Sequence, residues 1–407
     1  MKKNLFRLLQ ICLAAFVLSA MLVSCAGEDG LDGKDGDAGT DGIDGVDGAN
    51  ANQFCKNCHN NTNMNAIAED LEGSLHVSGA SWADETNRNS CGPCHAHDGF
   101  NEAVKTGQHV NMAGIPYASH LNCKTCHDFH TTLDSTEFPD YALRTIDTVA
   151  VRINKTTTYV AVAPSTTPTF NITFAAGSKF VPAFQNGESN ICISCHQART
   201  VSPWPDIAST TNLTITNFRY GTHYGTAGNI FAGKGGIEFA GTATYSNSVH
   251  TTGASCGACH ITKASATSHV GGHNFTMKEG TEINLDGCKT CHADATTYDI
   301  NGKQTEIKGL LNQLGNKLDI YLDKDASHPV IAGLAKDWSG YIDIYDASNN
   351  PDGAYRNAAS GNVAFVVSPK VAAGIVNFQL VLRDRSLGVH NYAYTKALLT
   401  NTIAEMP

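Results

Sequence analysis

Charge, aromatic rings and methionine are all scarce in this chain of 407 residues. Charged side chains make up 16 %, aromatics 8 %, and two of the six methionines, Met1 and Met21, fall within the first 25 residues. With Gly, Asn, Thr and Ser filling the remaining spaces, this composition suggests loops and short helices. The charge that is present is acidic, net −10 at pH 7, which argues against a nucleic-acid partner. The apolar run from Leu8 to Val23 is short for a membrane span. Cysteine outside one recurring motif is absent from the body: of 14 cysteines, only Cys12 and Cys25, both near the N-terminus, stand apart from it.

The other twelve form six copies of Cys-x-x-Cys-His: Cys55/Cys58/His59, Cys91/Cys94/His95, Cys123/Cys126/His127, Cys192/Cys195/His196, Cys256/Cys259/His260 and Cys288/Cys291/His292. A disulfide framework does not explain a histidine after every pair. The rhythm of structural zinc, one pair combined with a distant pair or with His-x-x-x-His, does not run through the chain. Covalent attachment of c-type haem explains both features, since two thiols add to the porphyrin vinyls and the adjacent imidazole becomes the proximal iron ligand. The expected cofactors are six c-type haems, each a large apolar object for the chain to pack around.

Each iron has a second axial position, filled by His or Met or left open. Eleven histidines remain beyond the six proximal ones: His76, His97, His109, His120, His130, His223, His250, His269, His273, His328 and His390. That is enough to close all six irons. A histidine two or three residues after the proximal one cannot reach the opposite face of the same haem. His130 is therefore expected on a neighbouring haem, with His97 a weaker candidate for the same role. Ser74-Leu75-His76 ahead of Cys91 echoes Ser248-Val249-His250 ahead of Cys256.

Residues 1–24 read as an export signal, with Lys2, Lys3 and Arg7 ahead of the apolar run. Leu22-Val23-Ser24-Cys25 resembles the lipobox of bacterial lipoproteins, which makes Cys25 the expected lipidation site; an ordinary cleaved signal peptide is the alternative. Over residues 25–50 glycine recurs at every third position from Gly27 to Gly48, usually preceded by Asp, and without proline. This collagen-like period reads as an acidic extended spacer or as a trimerising stalk, with a reach of roughly 70 Å at ~3 Å per residue.

Residues 51–300 carry the six motifs. Within them a small β insert is expected at about 148–180, with strands at Val149 to Ile153, Thr158 to Val162 and Phe170 to Phe174. In 301–407, Ile307, Leu310, Leu311, Leu314 and Leu318 make one helical stripe. Lys370 to Leu382 and His390 to Ala404 predict two more helices, broken near Ser386-Leu387-Gly388. This C-terminal part is expected to be a helical cap packed on the haem domain.

Several phrases carry a resemblance: Cys192-Ile193-Ser194-Cys195-His196-Gln197-Ala198-Arg199, Gly221-Thr222-His223-Tyr224-Gly225, Gly271-Gly272-His273-Asn274-Phe275 and Arg385-Ser386-Leu387-Gly388-Val389-His390-Asn391. Over residues 50–402 the chain resembles the multihaem c-type cytochromes, in particular exported bacterial members. The resemblance implies a multihaem cytochrome c fold, mostly short α-helices and irregular loops packed around haems. It also implies that His223, His250, His273 and His390 are distal ligands; spacing adds His76 and His130, with His120 in reserve. Arg199 and Tyr224 are expected to contact propionates or haem edges. The leader and spacer resemble those of outer-membrane cytochromes of metal-respiring bacteria, although haem count and body phrases depart from the decahaem members.

The implied function is electron transfer along bis-His haems, extracellular or periplasmic, in a chain anchored to the outer membrane by lipid. Expected partners are other redox proteins of the envelope, a porin–cytochrome complex or an extracellular acceptor, with a homotrimer or filament also in view. A nitrite- or hydroxylamine-type oxidoreductase with one open haem is the enzymatic alternative. No Cys-x-x-Cys-Lys motif of the nitrite reductases is present, and no catalytic residue is assigned.

Overall fold

The computed structural model describes residues 61–86, 91–106, 115–128, 143–145, 189–199, 201–263, 268–325, 327, 329–343 and 365–407. The export signal, Cys25, the glycine-periodic spacer, the first motif, His130 and the expected β insert lie outside these residues.

In chain order the helices are α1 (Asn61–Gly73), α2 (Leu75–Ser78), α3 (Gly92–His95), α4 (His97–Thr106), α5 (Cys123–Cys126), α6 (Ser189–Cys195), α7 (Ala227–Ala232), α8 (His250–Gly253), α9 (Cys256–His260), α10 (Asp286–Lys289), α11 (Lys303–Leu318), α12 (Pro369–Asp384) and α13 (Tyr392–Glu405). Six short strands, β1 (Leu213–Ile215), β2 (Lys278–Glu279), β3 (Glu282–Ile283), β4 (Leu322–Lys324), β5 (Trp338–Ile342) and β6 (Phe365–Val367), form three antiparallel pairs: β1 with β6, β2 with β3 and β4 with β5. Among the described residues no helix is long and apolar enough to cross a membrane.

The main core is built by α11, α12 and α13 against the segment from Ala198 to Phe239. Ile307, Leu311, Leu314 and Leu318 of the α11 stripe are fully buried, with Leu310 packed at its margin. Helix α12 starts where Pro369 follows Ser368, whose Oγ accepts from Val371 N at 3.3 Å. That arrangement is an N-cap followed by a residue with no N–H to satisfy. From Val371 to Asp384 every residue of α12 is buried, so this helix is the central strut rather than an amphipathic cover. Gly315 permits a close approach within this core: a Cβ there would lie 2.6 Å from the Trp338 ring, which stacks edge-on against Phe378.

The segment between α7 and α8 has almost no regular structure, and buried backbone without a ladder needs other partners. Side-chain amides of α12 and α13 supply them. Asn377 accepts from Ile237 N (2.7 Å) and donates to Ile237 O (2.8 Å). Asn401 does the same for Ala243 at 3.1 and 2.8 Å, and the Tyr394 hydroxyl accepts from Gly236 N. Asn391, at the start of α13, accepts from Ser248 N at 2.9 Å and donates to Asn247 at 2.8 Å. The C-terminal helices thus hold in shape the loop that leads into His250. The expected cap and the motif-bearing residues share one core.

Candidate metal centres

Each described motif coils into a helical turn. In four of them the histidine N–H donates to the carbonyl of the first cysteine: His95 to Cys91 (3.1 Å), His127 to Cys123 (2.9 Å), His196 to Cys192 (2.9 Å) and His292 to Cys288 (2.7 Å). The fifth motif lies within α9. Positions i, i+3 and i+4 of such a turn share one face, so both thiols and the imidazole look out together. Asn122 closes a capping box on α5, and Ser255 Oγ accepts from Ala258 N at the start of α9.

The ten described motif cysteines form no disulfides with one another. They differ in depth. Cys91 is buried, and Cys94, Cys192, Cys195, Cys256, Cys259 and Cys288 are half-buried. Cys291, expected as the second haem-binding thiol of the sixth motif, lies at the surface. It is exposed, and it stands in a turn beyond α10, which ends at Lys289. Its N–H donates to Cys288 O at 3.1 Å, the 3₁₀ step that Cys94 N–H also makes to Cys91 O at 3.1 Å. Cys123 and Cys126 are exposed as well. The third and sixth motifs are therefore surface motifs, unlike the second. Burial, helped by neighbouring cysteines, pushes the Cys259 thiol up to about 12. Such a thiol stays protonated, and thioether formation would remove its titration altogether.

Every described motif histidine has one further imidazole close by. Ring centres are 6.0 Å apart for His95 and His223, 6.3 Å for His127 and His273, and 5.8 Å for His196 and His76. They are 6.4 Å apart for His260 and His390 and 6.3 Å for His292 and His250. Two imidazoles held on opposite sides of one metal, with metal–nitrogen bonds of about 2 Å and about 1.1 Å from nitrogen to ring centre, would sit about 6.2 Å apart. The five separations cluster at that value although the interplanar angles run from 35° to 85°. Among the described residues no three His, Cys, Asp or Glu side chains group as a metal cluster. A two-imidazole donor set suits an iron whose other four ligands come from a planar macrocycle, and in that respect these residues fit haem.

The remaining ring nitrogens agree with this donor set. His250 Nδ1 bonds to Val389 O at 2.7 Å, His260 Nδ1 to Phe275 O at 2.9 Å and His390 Nδ1 to Asp384 Oδ1 at 2.6 Å. Donation from Nδ1 fixes the tautomer and leaves the Nε2 lone pair for a metal. Burial pulls the titrations of His76, His260 and His273 below the ordinary imidazole range. Burial, with the nearby His76, His260 and His390, lowers His196 to about 4. These four rings are therefore neutral at pH 7. For His390 burial also opposes the charge, but the Asp384 carboxylate outweighs it and raises the titration.

His97 has both ring nitrogens occupied, Nδ1 by Thr125 Oγ1 (2.9 Å) and Nε2 by Asn101 Nδ2 (3.0 Å), and serves as a strut between α4 and α5. His120 is exposed and lies 6.2 Å from the Trp82 ring. His269 is also exposed. Arg199 Nη2 reaches Cys91 Sγ at 3.2 Å, and the Tyr224 hydroxyl donates to Ser339 O. Arg383 is a buried cation that sequence reasoning missed: it donates to Gly340 O and lies 4.7 Å from the Tyr224 ring, next to His223.

The motifs touch in a series. His97, just after the second motif, bonds to Thr125 of the third. The second and fourth motifs exchange reciprocal contacts at 3.7 Å, Cys94 Sγ to Ser194 O and Cys195 Sγ to Pro93 O. Cys256 N of the fifth donates to Ser189 Oγ beside the fourth. Gly287, beside the sixth, lies so near the fifth that a Cβ there would fall 2.5 Å from Ala258 O. No protein-family model matches the chain, and no curated protein or solved structure is significantly similar to it.

Proposed function

We propose that this chain is a hexahaem c-type cytochrome that carries electrons through bis-histidine haems at the bacterial cell envelope. When bound, each haem would supply a one-electron ferric/ferrous couple. The observation that carries the reading is that all five described proximal histidines have a second imidazole at a trans-ligand distance. In this reading Cys91/Cys94, Cys123/Cys126, Cys192/Cys195, Cys256/Cys259 and Cys288/Cys291 hold the porphyrins. The irons would be held by His95 with His223, His127 with His273, His196 with His76, His260 with His390 and His292 with His250. Cys55, Cys58 and His59 would hold the remaining haem, with His130 or the reserve His120 as a second ligand.

The rest of the chain acts by holding these groups still. Hydrogen bonds from Nδ1 to Val389, Phe275 and Asp384 set ring orientation, and the amides of α12 and α13 fix the loops between motifs. Contacts between motifs support an order third, second, fourth, fifth, sixth, a relay rather than a set of isolated sites. The exposed cysteines, Cys123 and Cys126 of the third motif and Cys291 of the sixth, fall at the two ends of that order among the described motifs. The lipobox-like leader and the spacer support attachment to the outer membrane, with envelope redox proteins, a porin–cytochrome complex or an extracellular acceptor as partners.

The test is EPR of the oxidised haem-loaded protein together with CO binding to the reduced form. Six low-spin haems inert to CO are expected. A high-spin haem that binds CO rapidly would overturn the carrier reading in favour of an oxidoreductase with an open iron.

A further inference from the structure

Asp384 ends the central helix α12, and its side chain is fully shielded from solvent. One carboxylate oxygen meets His390 Nδ1 at 2.6 Å, and the other accepts from the Ser386 hydroxyl. No lysine or arginine forms an ion pair with Asp384 among the described residues. The neighbouring ligand imidazoles with a described Nδ1 partner, His250 and His260, donate to neutral backbone carbonyls instead. We propose that Asp384 is a positioning and tuning residue that lowers the reduction potential of the iron held by His260 and His390 below that of the adjacent iron held by His292 and His250. The inference rests on the axial-pair reading above.

Two effects act in the same direction. A carboxylate that draws on the Nδ1–H raises the basicity of the imidazole, and a more basic ligand favours the ferric ion. The buried negative charge, in surroundings of low dielectric, also favours the extra positive charge of the ferric state over the ferrous state, which gains one electron. Ser386 moderates both effects by taking up part of the carboxylate's accepting capacity. The fifth motif touches both the fourth and the sixth, so this low step falls inside the relay rather than at its end.

The experiment is an EPR-monitored redox titration of the haem-loaded full chain and three variants. In Asp384→Asn an amide oxygen still accepts from Nδ1 but the charge is gone. One haem of six should then shift toward reduction by tenfold or more, 59 mV for a one-electron couple, with haem content and low-spin signals unchanged. Ser386→Ala leaves the charge in place, frees it for His390, and should move the same haem the opposite way. It keeps the proposal testable should Asp384→Asn fail to load haem. Six potentials unmoved in both variants would overturn the proposal. His390→Ala separates the two levels of argument. A new high-spin haem upholds the axial pair whatever Asp384→Asn does, whereas six surviving low-spin haems would remove the pair and the tuning with it.

Discussion

Replacing Asn391 by alanine tests how the C-terminal helices hold the segment that carries His250. The Asn391 side chain is fully buried; its Oδ1 accepts from Tyr394 N at 3.3 Å and from Ser248 N at 2.9 Å, and its Nδ2 donates to Asn247 Oδ1. Alanine removes the N-cap of α13, a loss of about 1 kcal/mol. It also takes away the partner of the Ser248 N–H, on a half-buried residue, at about 1–3 kcal/mol where water does not replace it. Asn247 is exposed and can turn to water, so it adds little. The expected destabilisation is about 2–4 kcal/mol, read as a lower guanidinium midpoint at unchanged slope in the haem-loaded chain. Asn391→Asp keeps both accepted bonds at a helix N-terminus, where negative charge is favoured, and should cost less than half as much. A loss under about 0.5 kcal/mol for alanine, the range of inert surface changes, would refute the idea that amide side chains replace a sheet ladder here.

Gly287→Ala should push the fifth and sixth motifs apart, because the new Cβ would meet Ala258 O at 2.5 Å and Cys259 Cα at 2.9 Å. Overpacking of this kind costs about 1–3 kcal/mol. A weakened Soret circular-dichroism couplet should accompany the lower midpoint, and an unchanged midpoint would contradict the contact. Acid stability should depend on Asp319. Burial is the largest influence on this carboxyl and opposes its ionisation, but hydrogen bonds from Lys336, Lys324 and Trp338 together hold it below the ordinary range. A carboxyl lowered in the folded state contributes stability that is present above its unfolded value, about 3.9, and is lost as pH falls through the lower folded value. Asp319→Asn should therefore flatten the stability profile below about pH 4 while leaving its shape near neutrality unchanged, as pH-dependent denaturation would show.

Part of this architecture is local and can be read directly from residue spacing. The α11 stripe at Ile307, Leu311, Leu314 and Leu318 follows the helical period, and all four are buried on one face. The break between α12 and α13 falls where Arg385, Leu387 and Gly388 adopt positive φ. The amides of α12 and α13 were not legible, because Asn377, Gln379 and Arg383 interrupt the apolar pattern of a helix that is nonetheless buried all round. Their reason for being inside lies in distant carbonyls and amides that no local pattern announces. The exposure of Cys291 was equally hidden, since six identical motifs give no sign of which ones the fold leaves at its surface. Asp384 was silent too: nothing in Asp384-Arg385-Ser386-Leu387-Gly388-Val389-His390 marks that carboxylate as the imidazole's partner until the left-handed turn brings them together.

The sequence by itself determined the motif count and the local chemistry, because two thiols and an imidazole at i, i+3 and i+4 need only one helical turn to share a face. It also determined that eleven histidines lie outside the motifs, enough to give each motif histidine a partner. Only the tertiary structure decided which imidazole faces which. His196 with His76, His127 with His273 and His260 with His390 are far apart in the chain. Such pairs form only after loops, capped helices and buried amides have settled into one packing, and that packing is a sum of many non-local contacts rather than a property of any single segment.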